Sequence, residues 1–197
     1  MARQLTTDEI KRLMTTIEAR KFAKRDKAIL MLALYSGLTI KEIVGLRISQ
    51  LISHDGQIAD QVILSDDQTM ISRRKTFFVH KKTKQALKAY LCDRFKTKDL
   101  TPLLLTDTTR ILFTTQKSQE HGFTQNALAA HFYQMMEEAQ IQDASAFSLR
   151  KSFAFMITEK VLSRQFLDAI GSSDVRYAIA QQIEGNQATM KRVIALI

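Results

Sequence analysis

Two short stretches of this chain hold the residues best suited to handling a phosphate. The first, Ser36-Gly37-Leu38-Thr39-Ile40-Lys41-Glu42, is a glycine turn running into an amphipathic segment; the second, Phe147-Ser148-Leu149-Arg150-Lys151-Ser152-Phe153-Ala154, carries two adjacent cations. A guanidinium presents paired N–H donors in a planar fork that matches two phosphate oxygens, a chemistry open to Arg150. Its structural alternative is an internal salt bridge with Glu42. Between Gln68 and Cys92 lie seven basic residues, Arg73, Arg74, Lys75, Lys81, Lys82, Lys84 and Lys88, and no acidic one. A field of that sign favours a polyanion. No cluster of His and Cys at ligand spacing is present, so no metal is assigned. His80, beside Lys81 and Lys82, reads as a surface residue.

The elements that must carry these residues are mostly helical. Thr6 followed by Glu9 forms a capping box, and Ile10, Leu13, Met14 and Ile17 repeat at helical spacing, which predicts a helix to about Ala23. Asp26 to Ser36 is a strongly apolar helix, and Ile40 to Leu46 a short one entered through Gly37. The runs Gln61 to Leu64 and Lys75 to Val79, separated by turn chemistry, predict a small three-stranded antiparallel sheet. Helices follow at Thr83 to Arg94, from a Thr124 cap to about Gln140, Ser148 to Val161, Ser163 to Ile170 and Val175 to Ile197. The fold class is mainly α with a small antiparallel β-sheet, in one domain over 1–197. Phe147, Phe153 and Phe155 read as core, and Met135, Met136 and Met156 as core gap-fillers.

Composition sets the outer limits. Hydrophobic residues make up 45% and charged residues 25%, the usage of a globular protein with one sizeable core. Lys and Arg number 29 against 20 Asp and Glu, a formal charge of +9 that suits a polyanionic partner. One cysteine, Cys92, excludes an internal disulfide, and Met1-Ala2-Arg3-Gln4 leads into a polar helix without an apolar leader. The expected setting is cytoplasmic and nucleoid-associated, with no membrane contact and no small-molecule substrate.

In order and spacing these segments resemble the tyrosine recombinase, or phage integrase, family over roughly Leu5 to Gln182. Gly37-Leu38, Glu42 and Leu46-Arg47 fall in the register of its Thr-Gly-Leu-Arg-x-x-Glu box and the Leu-Arg pair that follows. Leu149-Arg150 with Ser152-Phe153-Ala154 matches its His-x-Leu-Arg-His-x-Phe-Ala box. Arg73-Arg74-Lys75-Thr76-Phe77-Phe78-Val79 is similar to the hairpin whose Lys enters the DNA minor groove, with Lys75 the best match and Arg73 or Arg74 the register alternatives. The resemblance implies the DNA breaking-rejoining fold and attack of a Tyr hydroxyl on a phosphodiester, with no cofactor.

Several positions depart from that pattern. Glu42, Lys75 and Arg150 are retained, but Thr39 stands in place of the first catalytic Arg and Phe147 in place of the catalytic His. Ser172 stands where another His or Trp belongs, and Gln181 where the nucleophilic Tyr is expected. Tyr177 is the one Tyr nearby, about one helical turn early. The expectation is therefore a catalytically inactive DNA-binding protein, or pseudoenzyme, acting in regulation or maintenance of a mobile element or plasmid. The alternative is a short divergent site-specific recombinase, active in DNA recombination and integration, that uses Tyr177. Candidate DNA-binding residues are Arg47, Arg73, Arg74, Lys75, Lys81, Lys82, Lys84, Arg150 and Lys151. The chain begins almost at the catalytic domain, so the resemblance implies no separate core-binding domain. Its last segment, Ala188 to Ile197, either passes to a neighbouring subunit, giving self-association on double-stranded DNA, or folds back on its own core.

Overall fold

Local signals set most helix boundaries in the computed structural model, which describes residues 3–70, 74–105, 110–115, 121–163, 165, 167–168 and 173–197. The candidate positions Arg73 and Ser172 lie outside the described residues. Helix α1 spans Thr7–Glu18. Its capping box is closed: Thr6 Oγ1 accepts from Glu9 N at 3.2 Å and the Glu9 carboxylate accepts from Thr6 N at 2.8 Å. It ends earlier than the sequence predicts. Ala19 and Arg20 donate to carbonyls three residues back, tightening the last turn, and Arg20 Nε swings onto Asp26 at 3.0 Å.

Helix α2, Ala23–Tyr35, is buried around most of its circumference, including Ala28 through Leu34, which explains its uninterrupted apolar run. Two charged residues enter the interior with it. Burial alone would raise the Asp26 carboxyl, but His131 Nε2 at 2.9 Å and the Arg25 guanidinium at 2.8 Å hold its pKa below the ordinary value. Helix α3, Ile40–Gly45, is short and begins from Thr39.

The sheet has two strands among the described residues rather than three. Strand β1, Gln61–Leu64, pairs antiparallel with β2, Lys75–Phe78, placing Gln61 opposite Phe78 and Leu64 opposite Lys75. The preceding segment makes only an isolated bridge, Ile52 to Ile58, because the chain reverses at Gly56, with φ of 72°. Helix α4, Lys81–Phe95, follows β2, and α5, Gln125–Glu138, starts at the Thr124 cap.

Helix α6, Ala146–Val161, runs between two apolar clusters. Leu149 joins the main core built from α1 to α5 and the sheet. Phe153, Ala154 and Ile157 join a second cluster with Phe78, Ala180, Met190, Val193 and Ile194. The predicted last helix is two helices. Helix α7 spans Ser173–Gly185 and α8 spans Gln187–Leu196, because Asn186 leaves helical geometry and its Oδ1 accepts from Thr189 N at 3.0 Å, starting a new helix. The apolar side of α8 folds back on β2 and α6 of its own chain.

Candidate nucleic-acid interface

Arg150 sits one turn into α6, buried to 8% exposure, where the two signature segments meet. Its Nη1 donates to the carbonyl of Gly37, and its Nη2 donates to Glu184 Oε2 of α7 at 2.7 Å. The expected alternative partner, Glu42, is engaged elsewhere: its Oε1 accepts from Lys75 Nζ at 2.9 Å and its Oε2 from Thr39 N at 2.7 Å. Arg150 does form an internal salt bridge, but with a residue of the C-terminal helices. Burial works against the charged guanidinium, yet the Glu184 carboxylate and the Tyr177 hydroxyl outweigh it and hold the pKa above its ordinary value.

Thr39, in the register of the family's first Arg, is the N-cap of α3. Its Oγ1 accepts from Glu42 N at 3.3 Å, and Glu42 returns the bond, so the two form a capping box. Glu42 thereby joins the helix start to Lys75 of the hairpin, and the retained family positions Glu42 and Lys75 are a structural pair in this state. Lys75 keeps 27% of its side chain exposed against 4% for Glu42, so the lysine is the partner that reaches the surface.

Phe147 is not core as predicted. It lies in the first turn of α6, 45% exposed, with its ring 5.4 Å from that of Tyr177. Phe153 is fully buried and Phe155 is half-buried under the Arg176 guanidinium, 4.1 Å from the ring centroid. Of the methionines, Met135 and Met136 are buried and Met156 is partly buried. Tyr177 therefore stands beside both Arg150 and Phe147, while Gln181 is exposed on α7.

The remaining cations fall into two groups. Arg47, Arg74, Lys81 and Lys82 are exposed, and Lys82 Nζ also donates to the Tyr35 hydroxyl at 3.1 Å. Lys84 is paired with Asp60, and Lys151, 3% exposed, donates to Asp174 Oδ1 at 3.0 Å. His80 is buried rather than superficial. It stacks on Tyr35 with centroids 4.9 Å apart and its ring nitrogen caps α4, and burial together with Lys82 and Lys81 pushes its pKa down. Among the described residues no group of three or more His, Cys, Asp or Glu is arranged to hold a metal ion. No described helix is long and apolar enough to cross a membrane.

Sequence reasoning missed Glu184 and Asp174. A signal was present: Asp174, Tyr177 and Glu184 follow one another at i, i+3 and i+10, so all three project from one face of a helix.

Comparison with solved structures places the fold. A XerA recombinase superposes with a TM-score of 0.65 at 20% identity, covering 98% of this chain and 64% of that one. The Tn1549 transposon integrase, in complex with a circular intermediate DNA, gives 0.63 at 16% identity, covering 92% and 61%. XerH recombinase bound to a palindromic difH substrate gives 0.60 at 18%, covering 98% and 49%. This chain thus spans about half to two thirds of the length of these structures. No curated protein sequence matches it. The model of the phage integrase family matches residues 3–174, which takes in both signature segments and stops at the start of α7. On that match, and with the fold in agreement, the chain belongs to the phage integrase family.

Proposed function

We propose that this family member binds duplex DNA without cutting it. On this reading Arg150 grips a backbone phosphate, and Arg47, Arg74, Lys75 and Lys81 extend the contact along the strands. The observation that supports it is a lone guanidinium where the two signature segments meet: Arg150 lies there, whereas Thr39 caps a helix and Phe147 offers neither charge nor a proton. Losing one charge-stabilising donor typically costs about 10²–10³ in rate, and several losses in one site leave little catalysis. The Tn1549 and XerH structures, both held with DNA, support duplex DNA as the partner. A sequence-selective binder of this kind suits regulation or maintenance of a mobile element or plasmid, at the nucleoid.

Binding to random duplex DNA with recovery of a consensus tests the reading. Affinity should fall steeply with salt, with a log–log slope of roughly −3 or steeper if four or more phosphates are neutralised. Salt-independent or absent binding removes the proposal. Arg74→Glu should weaken binding to all sequences and leave thermal stability nearly unchanged, since Arg74 is exposed.

One observation favours a second reading, a divergent recombinase: Tyr177 stands beside Arg150 although it precedes the expected nucleophile position by a turn. Suicide DNA substrates separate the two. No covalent adduct is expected; an adduct that Tyr177→Phe abolishes would make the protein an enzyme. Self-association on DNA through α8 would require this helix to leave its own core for a neighbour's, and a mass measurement of the protein–DNA complex tests it.

A further inference from the structure

The site described above is closed by its own chain. Arg150 directs Nη1 into the Gly37 carbonyl and Nη2 onto Glu184, with the Tyr177 hydroxyl beside it, so both terminal nitrogens are engaged within the chain. The neighbouring cation, Lys151, is taken by Asp174. Both carboxylates lie on one face of α7, with Tyr177 between them in sequence. A carboxylate resembles two oxygens of a phosphate in charge and in hydrogen-bond geometry.

Helix α7 is held on α6 by the ion pairs Glu184–Arg150, Asp174–Lys151 and Arg176–Glu159 more than by buried apolar side chains. Ala180 is the one residue of α7 recorded as fully buried among those whose side chains are described, whereas α8 buries Met190, Val193 and Ile194. Glu184 is also imperfectly satisfied: its Oε1 is buried with no hydrogen-bond partner. A buried carboxylate oxygen left without a donor raises the free energy of the closed state. Asn186, outside helical geometry with φ of −99° and ψ of 98°, separates α7 from α8, so the two helices meet at a non-helical junction about which one could turn relative to the other.

We propose that α7 is an autoinhibitory strap: Glu184 and Asp174 occupy the two α6 cations that a DNA phosphate would use, and DNA binds after α7 lifts about Asn186. This rests on the DNA-binding reading of Arg150. The apparent affinity of the wild-type chain is then reduced by the small fraction of molecules in which the strap is open.

The test is duplex-DNA binding, at one fixed low salt concentration, by the wild-type chain and by Glu184→Gln, Asp174→Asn, Arg150→Lys and the Glu184→Gln/Arg150→Lys pair. Each carboxylate substitution should tighten binding, Glu184→Gln by roughly tenfold. Asp174 is 56% exposed, so Asp174→Asn keeps the test alive if Glu184→Gln fails to fold. Arg150→Lys should weaken binding far more in the Glu184→Gln background than in the wild type, because in the wild type the same substitution also loosens the strap and offsets part of the loss; a general effect of removing negative charge would be additive instead. Hydrogen exchange supplies the conformational readout: DNA should speed amide exchange in residues 175–185 and leave residues 190–196 protected. Additive substitutions, unchanged or weakened binding by both carboxylate variants, or exchange in 175–185 that DNA slows or leaves alone, each overturn the strap. If neither the wild type nor any variant binds DNA, the DNA-binding reading falls as well; if the wild type binds and the variants match it, the strap alone falls.

Discussion

Arg150 owes its position to a glycine. Gly37 has φ of +61°, and a Cβ there would collide with the Phe153 ring and the Arg150 guanidinium. Gly37→Ala should therefore cost at least about 2 kcal/mol, combining left-handed backbone strain with overpacking, and should displace Arg150. Chemical denaturation measures the first effect and DNA binding the second; a stable variant would mean that the turn can relax. Glu9 supplies a pH effect. Its hydrogen bonds from Arg3, with those from Thr6, hold the carboxyl at about 2 against an ordinary 4.5. Because the folded value is the lower one, this stabilisation is complete above about pH 4.5 and is lost as pH falls toward 2. Glu9→Gln should flatten the stability profile across that window, and an unchanged slope would show that the bonds from Arg3 and Thr6 do not favour the ionised carboxyl. Single residues were also where sequence reasoning went astray. His80 was misjudged because its stacking partner, Tyr35, is 45 positions away. Phe147 was misjudged because apolarity does not say whether another element will cover a helix's first turn.

Elements were most legible where the deciding interaction spans three or four residues. Thr6, Thr39 and Thr124 accept from backbone N–H groups three residues on, and such a pattern is written locally. The hairpin strands were visible from their β-prone runs, although no third strand forms among the described residues. The break at Asn186 was missed since Gly185-Asn186 lies inside an otherwise helical pattern. Of the candidate site, Arg150 could be proposed from its motif, while its partner Glu184 required knowing how α7 docks, which depends on contacts across tens of residues. Helix α3 offers a direct test of capping. It is only six residues long, so its box contributes a large share of its stability. Thr39→Ala should cost about 1 kcal/mol. Thr39→Arg, which restores the family's residue type, should cost a similar amount without creating activity, because Phe147 is still unable to move a proton. Thermal melts and the covalent-trapping assay measure the two halves of that statement.

At the scale of the whole molecule, α6 divides the interior and carries the site along the division. Its Leu149 side is held by the main core, and its Phe153 and Ile157 side by α8. Removing the chain after Gln187 would expose Met190's, Val193's and Ile194's binding surface on Phe78, Phe153 and Ile157. At about 1.5–2 kcal/mol per fully buried side chain, the loss is on the order of 5 kcal/mol, an upper estimate because unfolded chains are themselves partly compact. Calorimetry of the truncated chain should find a large drop in Tm. A truncated chain that keeps its Tm would mean that α8 is dispensable to the fold and is available to another subunit.

The start of the described chain is tied to the same helix. Leu5 N donates to Ser152 Oγ at 2.8 Å, and Ser152 Oγ in turn donates to the carbonyl of Ser148, one turn back along α6. A pull on the backbone at Leu5 is thus transmitted, through two hydrogen bonds, to the turn that aims Arg150. A displacement at Leu5 therefore has a short mechanical route to the Arg150 guanidinium.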